Sequence, residues 1–153
     1  MPKNRDVRLY VDGDFDSLDT MKYWFARLEE RQDLRVYGYS KSWKIFIEYR
    51  DSGAEFPKNY VLNMSSGSRY ENIGPIRAAM KDLPITRGDF VAVNVPNNSS
   101  DKTVREVAKS MGMKKVFVCP GQCGSCIKAQ GKNVHACGSA DKMKDFNVVL
   151  PIH

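Results

Sequence analysis

The feature that most constrains this 153-residue chain is a period. Runs rich in strand formers begin near positions 7, 34, 59, 89 and 115, with helical segments between them. Strand–helix units repeating every 25–30 residues or so imply a parallel sheet, because a parallel neighbour is reached only through a crossover, and crossovers are right-handed. The strands are Val7–Val11, Leu34–Tyr39, Asn59–Met64, Asp89–Asn94 and Lys115–Cys119. Val148–Leu150 reads as a last strand, with Pro151 marking an edge or an end. A closed eight-stranded barrel takes about 250 residues. The expected fold class is therefore α/β, with repeated strand–helix units whose parallel sheet forms an open partial TIM-like barrel. A flat doubly wound sheet is the alternative. The whole of 1–153 is expected to be one α/β domain, with a cysteine-rich metal loop at 119–138.

The helices are punctuated clearly. Asp16 or Ser17 caps the first, with Asp19 near its positive end and Leu18, Met21, Phe25 and Leu28 as its apolar stripe. Trp43–Arg50 forms a short second helix. Ile76, Ala79, Met80 and Leu83 belong to a third, ended by Pro84. Ser100 or Asp101 caps a fourth, whose stripe is Val104, Val107, Ala108 and Met111, with Gly112 beyond its end.

In a sheet of this kind the loops after the strands share one edge, where ligands bind. Those strand ends carry Asp12 and Asp14, Ser40 and Lys41, Ser65 and Ser66, Asn94, and Cys119 onward. These form the candidate ligand-binding set. Asp14 and Lys41 lead it, since a carboxylate and an ammonium at neighbouring strand ends can pair or grip a polar ligand. Each also has a simpler reading, as a turn residue or a solvated charge.

All four cysteines, Cys119, Cys123, Cys126 and Cys137, fall in one C-terminal stretch, at spacings of three, two and ten intervening residues. Thiols on so short a tether close around one inorganic centre at little cost in loop entropy. Four thiolates suit zinc or an iron–sulfur cluster alike. The compact loop and the ligand count favour zinc, whereas the x3–x2 triplet favours a 4Fe–4S cluster. His135 is the substitute ligand for Cys137. His153 has no expected role.

Composition adds limits. The opening Met-Pro-Lys-Asn-Arg-Asp runs straight into a strand, and no apolar run approaches the roughly 18 residues of a membrane span. The cytoplasm is the expected compartment, and it keeps thiols reduced. Net charge is +6, and from residue 101 onward nine Lys or Arg face four Asp or Glu. That balance admits an acidic partner, a host protein or a nucleic acid.

Arg8-Leu-Tyr-Val-Asp-Gly-Asp-Phe15 with Trp24 downstream, Tyr37-Gly-Tyr-Ser-Lys-Ser42, and Pro57 through Gly67 are the stretches that resemble a known family. It is the phage-encoded family named after mycobacteriophage gene product 88, often found on mobile elements, and the likeness runs from Val7 to Gly67. The same stretch is similar, more distantly, to radical S-adenosylmethionine (SAM) enzymes, which are also partial barrels. Their cluster motif has three cysteines at x3 and x2 spacing, as do Cys119, Cys123 and Cys126. Gly13-Asp14 stands where they carry a Gly-Gly-Glu-type turn that binds the methionine end of SAM. Those enzymes place the cluster motif after the first strand, whereas here it follows the fifth. A fourth ligand, Cys137, would also close the open iron position that such chemistry needs. The resemblance implies a phage or mobile-element origin. With the four cysteines and the basic C-terminal third, the leading expectation is a metal-binding protein of the host cytoplasm that acts by binding a host protein or nucleic acid. A rearranged SAM-dependent enzyme and a zinc-stabilised nucleic-acid module are the alternatives.

Overall fold

A computed structural model of the chain describes residues 5–122, 126 and 136–152. It is an α/β fold built on a six-stranded, all-parallel sheet in the order β1-β2-β3-β4-β6-β5. The strands are β1 (Asp6–Leu9), β2 (Arg35–Ser40), β3 (Tyr60–Ser65), β4 (Thr86–Val93), β5 (Val116–Val118) and β6 (Asn147–Pro151). The helices are α1 (Leu18–Glu29), α2 (Trp43–Asp51), α3 (Gly74–Lys81) and α4 (Asp101–Ser110). No helix among the described residues is long and apolar enough to cross a membrane.

Topology decides which face each connection covers. From β1 to β4 the chain steps one place at a time in one direction, and α4 then carries it on to β5. Right-handed crossovers in one direction put every helix on the same face. The packing agrees. Val36, Leu62 and Met64 meet α1–α3, and Val91, Val93, Val118 and Val149 meet α4. Strand register puts all of these residues on one side of the sheet. Among the described residues α1–α4 thus share one face, and the short 3-10 turn Ala136–Gly138 lies on the other. The last connection goes back one place, from β5 to β6, so the same rule sends it to the opposite face. That connection is the cysteine segment. There Cys126, Ala136, Cys137 and Met143 pack on Tyr37 and Val148, beside Tyr39, Val61, Phe90 and Phe117.

The helix-side core under α1–α3 is aromatic. Phe25 is its hub, with ring centroids 5.6 Å from Phe15, 5.1 Å from Tyr49 and 5.1 Å from Tyr60. Gly38 belongs to this packing, because a Cβ there would stand 2.4 Å from the Tyr60 hydroxyl.

Several sequence expectations need correction. β1 stops at Leu9 rather than Val11, because Tyr10 takes a left-handed φ of 59° to lay its ring against Phe15 and Trp24. β4 starts at Thr86, three residues before Asp89, so Arg87 and Gly88 lie inside the sheet. Met111 is no part of the α4 stripe; it caps the helix and is 57% exposed. β6 is an interior strand, so Pro151 marks its end and not an edge. Ser17 and Ser100 do cap α1 and α4, accepting from Thr20 N and Thr103 N.

Candidate functional site

Two features occupy the sheet beyond its helix-covered face: a cleft at the C-terminal ends of β1–β3, and the cysteine cluster.

The cleft, of about 1050 Å³, lies between the β1–α1 loop, the β2–α2 turn and the β3–α3 loop. Asp14 holds two of these walls together. Its carboxylate accepts from Phe15 N (2.8 Å), Ser40 Oγ (2.8 Å), Lys41 N (2.6 Å) and Ser42 N (3.1 Å). Ser42 is the N-cap of α2 and makes no side-chain cap of its own, so Asp14 supplies the missing negative group. Ser68 ties in the third wall, its hydroxyl donating to Lys41 O at 2.7 Å. The predicted Asp14–Lys41 ion pair does not form; the two meet through the Lys41 amide, and among the described residues the Lys41 ammonium has no ion pair.

The other predicted ligand residues divide. Ser65 lines the cleft with Asp14 and Lys41. Ser40 is buried against Asp14. Ser66 bonds β4, donating from its amide to Phe90 O and accepting from Ala92 N. Asp12 and Asn94 are exposed and line no part of the cleft. Three cationic lining residues were not foreseen: Arg8, Lys44 and Arg69. Arg8 alternates with Val7 and Leu9 along β1, and that parity alone assigns it to the face opposite their core. Its guanidinium lies 4.7 Å over the Tyr39 ring.

Tyr39 links the cleft to the cysteines. Its ring lines the cleft and its hydroxyl hydrogen-bonds the Cys137 thiol. Cys126 and Cys137 are buried, Cys119 is half-buried, and none of the three is in a disulfide. Burial pushes the Cys137 thiol up to about 11; the Tyr39 hydrogen bond and the Arg87 charge oppose that shift, and nearby Cys119 and Cys126 add to it. The amide of Ala136 donates to Cys126 Sγ at 3.3 Å. Cys119 also edges a smaller hollow of about 210 Å³ with Asn97, Ser99 and Asp101. Cys123, His135 and His153 lie outside the described residues. Among the described residues no three His, Cys, Asp or Glu side chains are arranged to hold a metal ion.

Beneath the cysteine segment sits the residue that sequence reading missed. Arg87 is fully buried. Its guanidinium donates to Asn63 Oδ1, Met143 O (3.1 Å), Phe146 O (2.9 Å) and Asp89 O (2.9 Å). Asn63 in turn donates to Gly38 O and, at 3.0 Å, to Cys137 O. The pair therefore pins the backbone of the crossover at residues 137, 143 and 146. All four acceptors of Arg87 are neutral. The Asp89 carboxylate faces the other way and pairs with Arg77 at 2.7 Å. Burial lowers the Arg87 pKa, and Cys137 is the leading group that raises it. One signal was available in the sequence. A glycine inside a strand marks a close backbone approach, and a Cβ on Gly88 would stand 2.7 Å from Phe146 O.

The three described thiols are outside any disulfide, and their surroundings include an N–H···S bond and the buried Arg87 guanidinium.

The family model described as gene product 88 matches residues 1–147. The chain belongs to the gene product 88 family. The match takes in the cleft and the cysteine segment, well beyond the 7–67 stretch that first suggested it. No curated protein and no solved structure matches the chain.

Proposed function

We propose that this member of the gene product 88 family is a metal-binding phage or mobile-element protein. Cys119, Cys123, Cys126 and Cys137 would hold one metal–thiolate centre on the face of an open partial barrel opposite α1–α4, and the protein would act by binding a host protein or nucleic acid. A one-sided helix layer is how such a barrel is built, which supports that reading of the sheet. The observation that carries the proposal is Arg87. A buried guanidinium whose hydrogen bonds all go to neutral acceptors is costly to desolvate, with Asp89 and Asp145 acting on it only through space. Four thiolates around a zinc ion or a 4Fe–4S cluster bear a net negative charge, and Cys137 stands beside Arg87. Zinc, as a closed four-thiolate site, would supply structural cross-linking and no redox chemistry.

The second reading is an iron–sulfur enzyme of the radical SAM type. Tyr39 favours it, since one side chain joins the ligand cleft to a candidate metal ligand. Zinc-supported nucleic-acid binding is a third use of the same centre.

Anaerobic purification, metal analysis and an absorbance spectrum test the centre. One zinc per chain and no visible absorption is the expected result; a metal-free, fully folded protein overturns the proposal. Iron with a broad visible band selects the second reading, and release of 5′-deoxyadenosine from SAM under reducing conditions then establishes it.

A further inference from the structure

We propose that the cleft at the ends of β1–β3 binds a nucleotide through its phosphates. The inference does not depend on the metal centre. Arg8, Lys41, Lys44 and Arg69 line one cleft, against the carboxylates of Asp14 and Asp16. Both carboxylates are already committed. Asp14 accepts the amides of the β2–α2 turn, as described above. Asp16 lies before α1, accepts from Ser17 Oγ and has its pKa lowered chiefly by a hydrogen bond from Thr20. Glu71, on the next loop, likewise accepts from Gly67 N at 2.9 Å. The acids hold the walls in place, and the cations are left over.

Arg8, Lys41, Lys44 and Arg69 have no ion pair among the described residues, as is also true of surface cations such as Lys22 and Lys58. What sets these four apart is that they share one concavity. Like charges gathered in one concavity repel, and they focus a positive field into it. A polyanion relieves that repulsion, and phosphate oxygens accept from Arg and Lys together.

Size and lining narrow the ligand. A cleft of about 1050 Å³ is far larger than a lone phosphate needs and suits a nucleotide. Tyr70 supplies aromatic lining on which a base can rest, while the Tyr39 ring is covered by Arg8. The walls are preorganised by Asp14 and Ser68, which lowers the ordering cost of binding. The same chemistry is offered by a free nucleotide and by one nucleotide of a single strand.

The test is calorimetric titration of the purified full chain with adenosine diphosphate, pyrophosphate, a short single-stranded oligonucleotide and SAM, at low and at raised salt. The diphosphate should bind more tightly than pyrophosphate, and raised salt should weaken both. Lys44→Glu combined with Arg69→Glu should weaken binding at least about tenfold, the scale of losing a charge-assisted contact. Both residues are exposed, so the melting temperature should hold. Lys109→Glu on α4, outside the cleft, should leave binding intact. An oligonucleotide held markedly tighter than the diphosphate assigns the site to a strand. No binding at low salt, binding unmoved by the double reversal, or binding of SAM alone overturns the proposal.

Discussion

The two halves of the sheet are stabilised in different ways. Under α1–α3, β1–β3 bury an interlocked aromatic core centred on Phe25. Under α4, β4–β6 bury a smaller core of valines, and the opposite face of the sheet, across β2, β3, β4 and β6, carries the Arg87–Asn63 network and the cysteines. The first half is organised by carbon packing, which needs no partner chemistry beyond shape. The second keeps a buried cation whose desolvation is offset by hydrogen bonds to four acceptors. The difference is one of chemistry: a polar network with a buried cation is retained on the face where the described thiols gather.

Substitutions can break or sharpen that contrast. The largest effects come from one residue in each half. Phe25→Ala should cost about 3–5 kcal/mol by leaving a cavity in the aromatic core. Arg87→Met should cost about as much, some 3–5 kcal/mol, because buried acceptors lose their donor. Urea unfolding measures both, and metal content separates them: it should fall in Arg87→Met and hold in Phe25→Ala. Equal metal content in the two would remove the link between the cation and the thiols.

Asp14→Ala should cost about 2 kcal/mol, since a charged acceptor is lost to the amides it holds. Hydrogen exchange at the Lys41 and Ser42 amides should speed up while the valine core stays protected. Tyr39→Phe removes one hydroxyl from Cys137 and should cost about 1 kcal/mol. A change in the spectrum of the metal-loaded protein would show that this hydroxyl touches the centre. Met111→Lys should change the urea midpoint by the equivalent of about 0.5 kcal/mol or less, because the side chain is exposed. A larger loss would mean that α4 buries more than its valine stripe.

Much of the scaffold was legible because its signals are local. Ser17 and Ser100 each precede an apolar stripe, and each caps the helix it announces. Val36, Leu62 and Val118 declare strands by type and alternation. Asp14 was legible as important, but its partners were not. A carboxylate at a strand end looks the same in sequence whether it meets an ammonium or four donors of its own fold. Arg87 was illegible because a strand usually excludes an arginine from its buried face, and the acceptors that admit it come from residues 63, 89, 143 and 146.

By itself, the order of residues determined the parallel α/β architecture, the helix caps and the confinement of every cysteine to a single stretch near the C-terminus. Each follows from spacing within about thirty residues. Only the tertiary structure decided that the described part of this stretch, Cys126 and Ala136 onward, packs on the side of the sheet away from α1–α4, over a buried guanidinium and beside Tyr39. That outcome depends on strand order, because a single backward step from β5 to β6 reverses the face that a right-handed crossover covers.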